Sequence, residues 1–188
     1  MKTEKEKMLA GELYDAMDPV LAEERRQARI TFKLFNDSHE DDGDLRKSLL
    51  KQLMPEQGEG LIIEPPFFCD YGYNIKLGDK VFFNFNCVVL DVMEVRIGSN
   101  VLFAPGVQIY TATHPLDYKV RAEWLEFAKP VTIGDDVWVG GGTIINPGVT
   151  IGSRTTIGSG SVVTKDIPDD VFAAGNPCRV IRQLKDGK

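Results

Sequence analysis

The sequence predicts a mainly β protein, a parallel β-helix assembled from six-residue units with an α-helical cap at its N-terminal end. The first observation is that an Ile or Val recurs at every sixth position from 133 to 163, usually followed by Gly. The second is that apolar residues before position 59 follow helical spacing instead. A fixed short period is typical of a solenoid in which each unit is one strand and one turn. A β-sandwich would show period-two alternation in strands of varying length.

Residues 1–58 are interpreted as three helices that cover the exposed end of the apolar ladder. The first is predicted across Met8, Leu9, Leu13 and Met17, which fall at helical spacing. The second begins at Asp18-Pro19, a capping residue followed by proline at the first helical position. The third opens near residue 42 and ends before residue 55. The segment is either a cap alone or a cap that also contributes to a binding pocket. The apolar faces of the last two helices contain Leu21, Ala28, Phe32, Phe35, Leu45, Leu49, Leu50, Leu53 and Met54.

Residues 59–188 are interpreted as the solenoid domain, with an inserted loop at 111–129 and a C-terminal tail. Two extra residues between Asp91 and Val95 predict a small outward bulge. The loop is polar and charged and contains His114, one of only two histidines in the sequence. A long insertion in a strict solenoid is more often functional than decorative. The predicted inward ladder is Leu77, Phe83, Val89, Ile97, Phe103, Ile109, Ile133, Val139, Ile145, Ile151, Ile157 and Val163.

Net charge, the length of apolar runs and the number of cysteines exclude several classes of protein. The formal net charge of −6 argues against a general nucleic-acid binder or a ligand of anionic membranes. There is no apolar run near the roughly 20 residues that a membrane helix needs, and no apolar signal-peptide core, so a cytoplasmic location is expected. Cys69, Cys87 and Cys178 are scattered and odd in number, which predicts reduced, buried thiols rather than a disulfide framework or a metal site.

Several motifs are spread along the chain, among them Asn84-Phe85-Asn86, Ala104-Pro105-Gly106-Val107, Thr113-His114-Pro115, Val137-Trp138-Val139-Gly140, Val163-Thr164-Lys165-Asp166-Ile167-Pro168 and Gly175-Asn176-Pro177. They resemble motifs of the hexapeptide-repeat sugar O-acetyltransferases, a family that includes maltose, galactoside and nodulation acetyltransferases. The resemblance covers nearly the whole chain and is nearest to the maltose type. Its most specific part is the ordered set Asn84, His114 and Trp138. It implies a left-handed β-helix, acetyl-CoA as cosubstrate and a homotrimer with active sites between subunits.

His114 is the expected catalytic base. O-acetyl transfer must remove a proton from a sugar hydroxyl, and a neutral imidazole titrates near working pH. The alternative is a loop histidine that only packs. Glu123, Glu126 and a backbone carbonyl are all open as the group that orients the imidazole. Asn84 resembles the family's asparagine beside the acetyl group, where an amide can donate to an oxyanion; its alternative is an asparagine stack along the solenoid.

The resemblance also implies where the two substrates bind. The acetyl-CoA contacts carried over by position are Asn84, Gly141, Ser159, Thr164, Lys165, Arg179 and Arg182, with Lys185 extending the basic strip. Guanidinium groups suit the phosphates, although a solvated basic tail is the alternative. The acceptor contacts implied are Arg25, Asp70, Asp91 and Trp138. For the three charged residues, the alternative is ordinary surface charge. The galactoside enzymes have an aspartate where this chain has Ala16 and a tyrosine where it has Phe82. The stretches 69–74 and 109–114 are nearer to the maltose enzymes, so a maltose- or glucose-like acceptor is favoured.

Three other functions compete with this prediction. The same chemistry could serve another acceptor, such as a galactoside, a lipo-oligosaccharide, a cell-surface sugar or an antibiotic. A carbonic anhydrase on a similar solenoid would need three histidine zinc ligands, whereas the chain has only His39 and His114, so no metal is expected. A non-catalytic scaffold would be expected to have lost His114 or Asn84.

Overall fold

A computed structural model describes residues 1–184 as a parallel β-solenoid with helices at its N-terminal end. This confirms the predicted mainly β solenoid. The parallel strands form three sheets. The first contains β4 (Ile75–Leu77), β7 (Val95–Ile97), β12 (Val131–Ile133) and β15 (Thr150–Ile151). The second contains β2 (Ile62–Ile63), β5 (Phe82–Phe83), β8 (Leu102–Phe103), β13 (Trp138–Val139), β16 (Thr156–Ile157), β18 (Val171–Ala174) and β19 (Arg179–Gln183), which alone runs antiparallel. The third contains β3 (Phe67–Cys69), β6 (Cys87–Leu90), β9 (Gln108–Tyr110), β14 (Ile144–Ile145) and β17 (Val162–Val163).

The apolar ladder predicted from the sixfold period is the core of the solenoid. All twelve of its members are buried, and ten of them are no more than 1% exposed. Near the capped end the ladder becomes aromatic, where the Phe83 and Phe103 rings stack at 4.5 Å between centroids. The three cysteines are free thiols in this interior, as predicted. Stacking identical or similar side chains from coil to coil buries them without the alternating large and small residues of a globular core.

The helices of the structure are α1 (Glu4–Leu9), α2 (Pro19–Asn36), α3 (Gly43–Leu53) and the short α4 (Tyr118–Arg121). As predicted, Asp18 caps α2, because its carboxylate accepts the backbone N–H groups of Val20 and Leu21. Helices α2 and α3 pack against each other and bury Phe35, Leu50 and other apolar residues in the solenoid core. They therefore form the predicted cap. Within residues 1–184, no helix combines the length and apolarity needed to cross a bilayer.

The prediction of a first helix reaching residue 17 is wrong. Helix α1 stops at Leu9, and Gly11 at φ +69° turns the chain away. Leu13 and Met17 are exposed, and the residues between them form the short strand β1 (Tyr14–Asp15). Helical spacing of apolar residues over two turns cannot distinguish a helix from a helix end followed by an extended segment.

This N-terminal segment packs on the side of the solenoid rather than on its end. Met8 and Tyr14 form a second apolar cluster with Leu21, Tyr71 and Val92. Val92 belongs to the two-residue insertion that predicts an outward bulge. It does leave the solenoid core, but the N-terminal segment covers it, so it is only 4% exposed.

The inserted loop is also tied to the N-terminal segment. Its strand β11 (Leu125–Ala128) pairs antiparallel with β10 (Ala112–Thr113) on one side and with β1 on the other. Tyr14 lies directly opposite Glu126 in this small sheet. The loop predicted at 111–129 is therefore an ordered hairpin with α4 at its tip, and it brings His114 close to residues more than 80 positions earlier in the sequence.

Candidate active site

A cavity of about 500 Å³ lies where the N-terminal segment, the first coils and the inserted loop meet. Helix α2 contributes two arginines, β1 a tyrosine, the solenoid coils an aspartate and apolar side chains, and the loop an imidazole and a carboxylate. A concave site with apolar walls and a few convergent polar groups is typical of small-molecule binding. The lining residues are Tyr14, Ala16, Met17, Arg25, Arg29, Asp70, Leu90, Val92, Tyr110, Ala112, His114, Trp124 and Glu126.

His114 follows β10 directly and is about half exposed at this cavity. Its Nδ1 lies 3.3 Å from the carbonyl oxygen of Leu125 on the paired strand β11. Only the tautomer with the proton on Nδ1 can donate to that carbonyl, and this tautomer carries its lone pair on Nε2. Of the three groups left open by the sequence, the backbone carbonyl is thus the one that orients the ring. Glu123 is exposed, and Glu126 lies on the opposite edge of the ring, with Oε1 4.0 Å from Nε2.

Tyr14 and Glu126 form a hydrogen-bonded pair beside the imidazole. The Tyr14 hydroxyl donates to Glu126 Oε2 at 2.9 Å. Burial, and then the nearby carboxylate, raises the pKa of Tyr14, so the phenol remains a donor at neutral pH. Tyr14 was not identified from the sequence, because nothing in its neighbourhood indicates that it lies opposite a residue 112 positions later.

Arg25 and Asp70, both expected at the acceptor site, do line the cavity. The Arg25 guanidinium donates to the Tyr71 hydroxyl at 2.7 Å and to the Ala16 carbonyl, which holds it against the first coils. Burial raises the pKa of Asp70 above its ordinary value, and the nearby Arg25 offsets this rise only in part. Arg29, one turn further along α2, lines the same cavity and was missed by the sequence reasoning. Its i+4 spacing from Arg25 was the available signal.

Asp91 does not fit the role of an acceptor contact that the resemblance implies. Its side chain is fully buried, and its carboxylate accepts the backbone N–H groups of Asp70 and Tyr71 at 3.0 and 2.9 Å and of Asn74 at 3.3 Å. Asn74 in turn donates its side-chain amide to the Asp91 carbonyl at 2.7 Å. Asp91 therefore holds the 70–74 turn, and Asp70 with it, from inside the fold.

Trp138 lies on the seven-stranded sheet and Asn84 directly follows one of its strands, whereas His114 directly follows β10 of the small sheet formed by β1, β11 and β10. Asn84 directly follows β5 and its Oδ1 accepts the Phe85 N–H at 2.8 Å, which leaves Nδ2 as its donor end. Trp138 on β13 is about half exposed and lies between Leu102 and Thr156 in register. Within residues 1–184 of one chain, neither lines the cavity that contains His114.

The remaining predicted residues follow one another along the C-terminal coils. The Gly141 carbonyl accepts the Gly160 N–H at 2.9 Å, so the coil that carries Ser159 stacks directly on that of Gly141. Ser159, Thr164 and Lys165 are exposed. Arg179 and Arg182 are exposed on β19, beside β18. Lys185 lies outside the described residues.

Sequence and fold are shared with known proteins along nearly the whole chain. A family model described as the maltose acetyltransferase hexapeptide capping motif matches residues 7–58, and one described as the bacterial transferase hexapeptide matches residues 130–165. The crystal structure of a maltose O-acetyltransferase from Clostridium difficile 630 has a TM-score of 0.97 at 50% identity, covering 98% of this chain and 99% of that one. A galactoside acetyltransferase solved with coenzyme A has a TM-score of 0.96 at 42% identity, covering 99% and 93%. Nodulation protein L of Rhizobium meliloti (strain 1021) is 48% identical over 95% of this chain and 98% of its own length.

Proposed function

This chain belongs to the hexapeptide-repeat sugar O-acetyltransferases, and on that premise we propose that it transfers an acetyl group from acetyl-CoA to a hydroxyl of a maltose- or glucose-like acceptor. The observation that carries the proposal is the imidazole of His114, oriented through Nδ1 by the Leu125 carbonyl at the wall of a polar cavity. A base oriented in this way can accept a proton at Nε2.

In the proposed reaction, the acceptor hydroxyl binds in the cavity and donates its proton to Nε2 of His114. The hydroxyl oxygen attacks the thioester carbonyl, a carbon–oxygen bond forms, and the electron pair of the carbon–sulfur bond leaves with coenzyme A sulfur. The imidazolium then returns its proton to the thiolate, so the enzyme ends in its starting state. The charge that develops on the carbonyl oxygen needs a fixed donor. We assign this role to two donors of a neighbouring copy in a homotrimer, the Asn84 side-chain amide and the Gly141 backbone N–H.

The coenzyme A moiety is proposed to run along the C-terminal coils. Relatives have been solved with coenzyme A and with acetyl-CoA, which supports this cosubstrate. Ser159, Thr164 and Lys165 are exposed on adjacent coils, where they can contact the pantetheine arm. Arg179 and Arg182 supply guanidinium groups for the phosphates, which they bind with parallel N–H donors.

The acceptor sugar is proposed to contact Arg25, Asp70 and Glu126. An ionised carboxylate accepts from a sugar hydroxyl and a guanidinium donates to one, so this set can hold several hydroxyl groups at once. A galactoside, a lipo-oligosaccharide, a cell-surface sugar or an antibiotic remains the alternative acceptor for the same chemistry. We assign a further acceptor contact to Trp138 of the neighbouring copy.

The two histidines of the chain allow a matched test of the base. His114→Ala should lower kcat by at least about a hundredfold, the usual contribution of a general base. His39→Ala is the control, since His39 is an exposed residue of the helical cap. The assay measures free thiol released from acetyl-CoA with glucose, maltose, a galactoside and an aminoglycoside as acceptors. Near-normal turnover by a folded His114→Ala variant would overturn the assignment, and a higher kcat/KM for the galactoside would replace the proposed acceptor.

A further inference from the structure

Trp124 has a backbone conformation that its side chain disfavours. Its φ is +64°, in the left-handed region. Seven non-glycine residues of the described chain have positive φ, and the other six are polar or charged residues such as Asn86 and Asp136. For a bulky side chain this conformation is an outlier, and strain of this kind tends to persist where function requires it. Glycine would satisfy the backbone here, so the indole itself requires an explanation.

Packing does not explain the indole, because the Trp124 side chain is not part of a core. The residue is 77% exposed, yet it lines the cavity that contains His114. The backbone N–H of Trp124 donates to the Arg121 carbonyl at 3.0 Å, and the Arg121 guanidinium donates to the Pro115 carbonyl at 2.9 Å. These bonds close the loop and hold Trp124 next to Leu125, the residue whose carbonyl orients the imidazole.

The cavity combines partly buried polar groups with an exposed apolar surface, and Arg29 and His114 are exposed beside that surface. Asp70 and Arg25 are partly buried, whereas Met17 and Trp124 are the most exposed of its apolar residues, at 66% and 77%. A glycoside matches this combination. One sugar ring bears the reacting hydroxyl and needs polar partners, while the group attached to it presents a flat face of C–H groups or an aromatic ring toward the exposed apolar surface. An indole provides a large, rigid and apolar surface for such a face.

We propose that Trp124 is a specificity-determining residue that stacks on the ring attached to the acetylated sugar, either a second pyranose or an aromatic aglycone. The inference rests on the proposed sugar acceptor and extends it. The enzyme should consequently prefer a disaccharide or an aryl glycoside to a free monosaccharide. Trp124 contributes affinity for the attached ring and takes no part in proton transfer.

Trp124→Gly is the informative variant, since glycine adopts a φ of +64° without strain and the loop should stay folded. The KM for maltose and for phenyl glucoside should rise about three- to tenfold, the range expected for one lost ring–ring contact. The KM for glucose and for acetyl-CoA should not change. Trp124→Phe should retain most of the maltose affinity. Leu116→Ala is the matched control, because Leu116 is 96% exposed on the same loop and does not line the cavity.

Two further measurements separate the possible failures. Titration of the wild type with maltose should change the tryptophan fluorescence. The change should be smaller in Trp124→Gly, in which only Trp138 remains to report binding, and should be retained in full in Leu116→Ala. If the wild type acetylates sugars and Trp124→Gly leaves the ratio of the maltose and glucose KM values unaltered, the inference is wrong while the proposed function stands. If Trp124→Gly formed a smaller oligomer in solution than the wild type, the indole would belong to a contact between copies, and this would also overturn the inference. Acetylation of no sugar by the wild type would overturn the proposed function itself.

Discussion

At the scale of single residues, the imidazole of His114 depends on groups far from it in the sequence. Its ring is oriented by a carbonyl across a strand pair, and Glu126 beside it is held by Tyr14 from the N-terminal segment. Neither partner makes its contact through a distinctive side-chain motif. One is a backbone oxygen and the other is a tyrosine whose hydroxyl finds a carboxylate only once three short strands have paired.

The buried carboxylate of Asp91 predicts a pH dependence of stability. Burial raises the pKa of Asp91 to about 7, and the backbone N–H groups of Tyr71, Gly72 and Asn74 offset this only in part. Between about pH 4 and pH 7 the carboxyl of the unfolded chain is ionised while that of the folded chain holds its proton. The folded state then binds more protons, so the free energy of unfolding falls as the pH rises, by about 1.4 kcal/mol per unit within this window.

Asp91→Asn isolates this effect, because the amide does not titrate and its own structural cost is independent of pH. From pH 5 to pH 8 the wild type should lose about 2–3 kcal/mol of unfolding free energy relative to Asp91→Asn, with the loss levelling off at about pH 8. Urea unfolding at each pH, at one protein concentration, measures the difference. A wild type that gains stability relative to the variant as the pH rises would show that the carboxylate is ionised in the folded state.

At the scale of elements, the join between the helical cap and the first coil depends on a close backbone approach. Gly72 has φ +81°, and a Cβ atom on it would lie 2.4 Å from the carbonyl oxygen of Leu53 at the end of α3. That oxygen is backbone and cannot rotate away. The turn containing Gly72 is the one that Asp91 holds, so cap, turn and cavity wall are fitted to one another at this point.

Gly72→Ala and Gly142→Ala form a matched pair. Both glycines have positive φ, but nothing lies within 4 Å of a Cβ on Gly142. Gly142→Ala should therefore lower the free energy of unfolding by only about 1 kcal/mol, the cost of the left-handed conformation. Gly72→Ala adds the clash with Leu53 and should lower it by about 3 kcal/mol. Urea unfolding of the two variants side by side measures both, and equal losses would mean that α3 moves aside without cost.

At the scale of the whole molecule, one chain separates the groups that the proposed reaction needs together. The cavity with His114 includes residues of the five-stranded sheet, while Trp138 is on the seven-stranded sheet and Asn84 directly follows one of its strands. A closed ring of three copies can bring these two faces together at every interface, because such an assembly repeats one heterologous contact. The proposed trimer would therefore complete the site as well as cover apolar surface.

Mixing two inactive variants tests this arrangement. His114→Ala and Asn84→Ala homotrimers should each be nearly inactive, but after dissociation and reassembly of an equal mixture about one quarter of the interfaces would pair an intact His114 with an intact Asn84. Activity should recover to about that fraction of the wild-type value. A mixture of His114→Ala with wild type that has undergone the same treatment serves as the control for losses on reassembly. If the mixed variants remain as inactive as the parents, both residues act within one chain.

Sequence by itself determined the solenoid, the identity of its inward ladder and the start of α2, and it singled out His114 as the candidate base. A strict period and a capping residue before proline are local signals, and local physics fixes their meaning, whereas the role proposed for His114 rests on the family resemblance. Only the tertiary structure decided the early end of α1, the burial of Asp91, the Leu125 carbonyl as the orienting group and the presence of Tyr14, Arg29 and Trp124 at the cavity. These depend on which distant segments meet when the N-terminal strand pairs with the inserted loop, and no short-range pattern specifies that pairing.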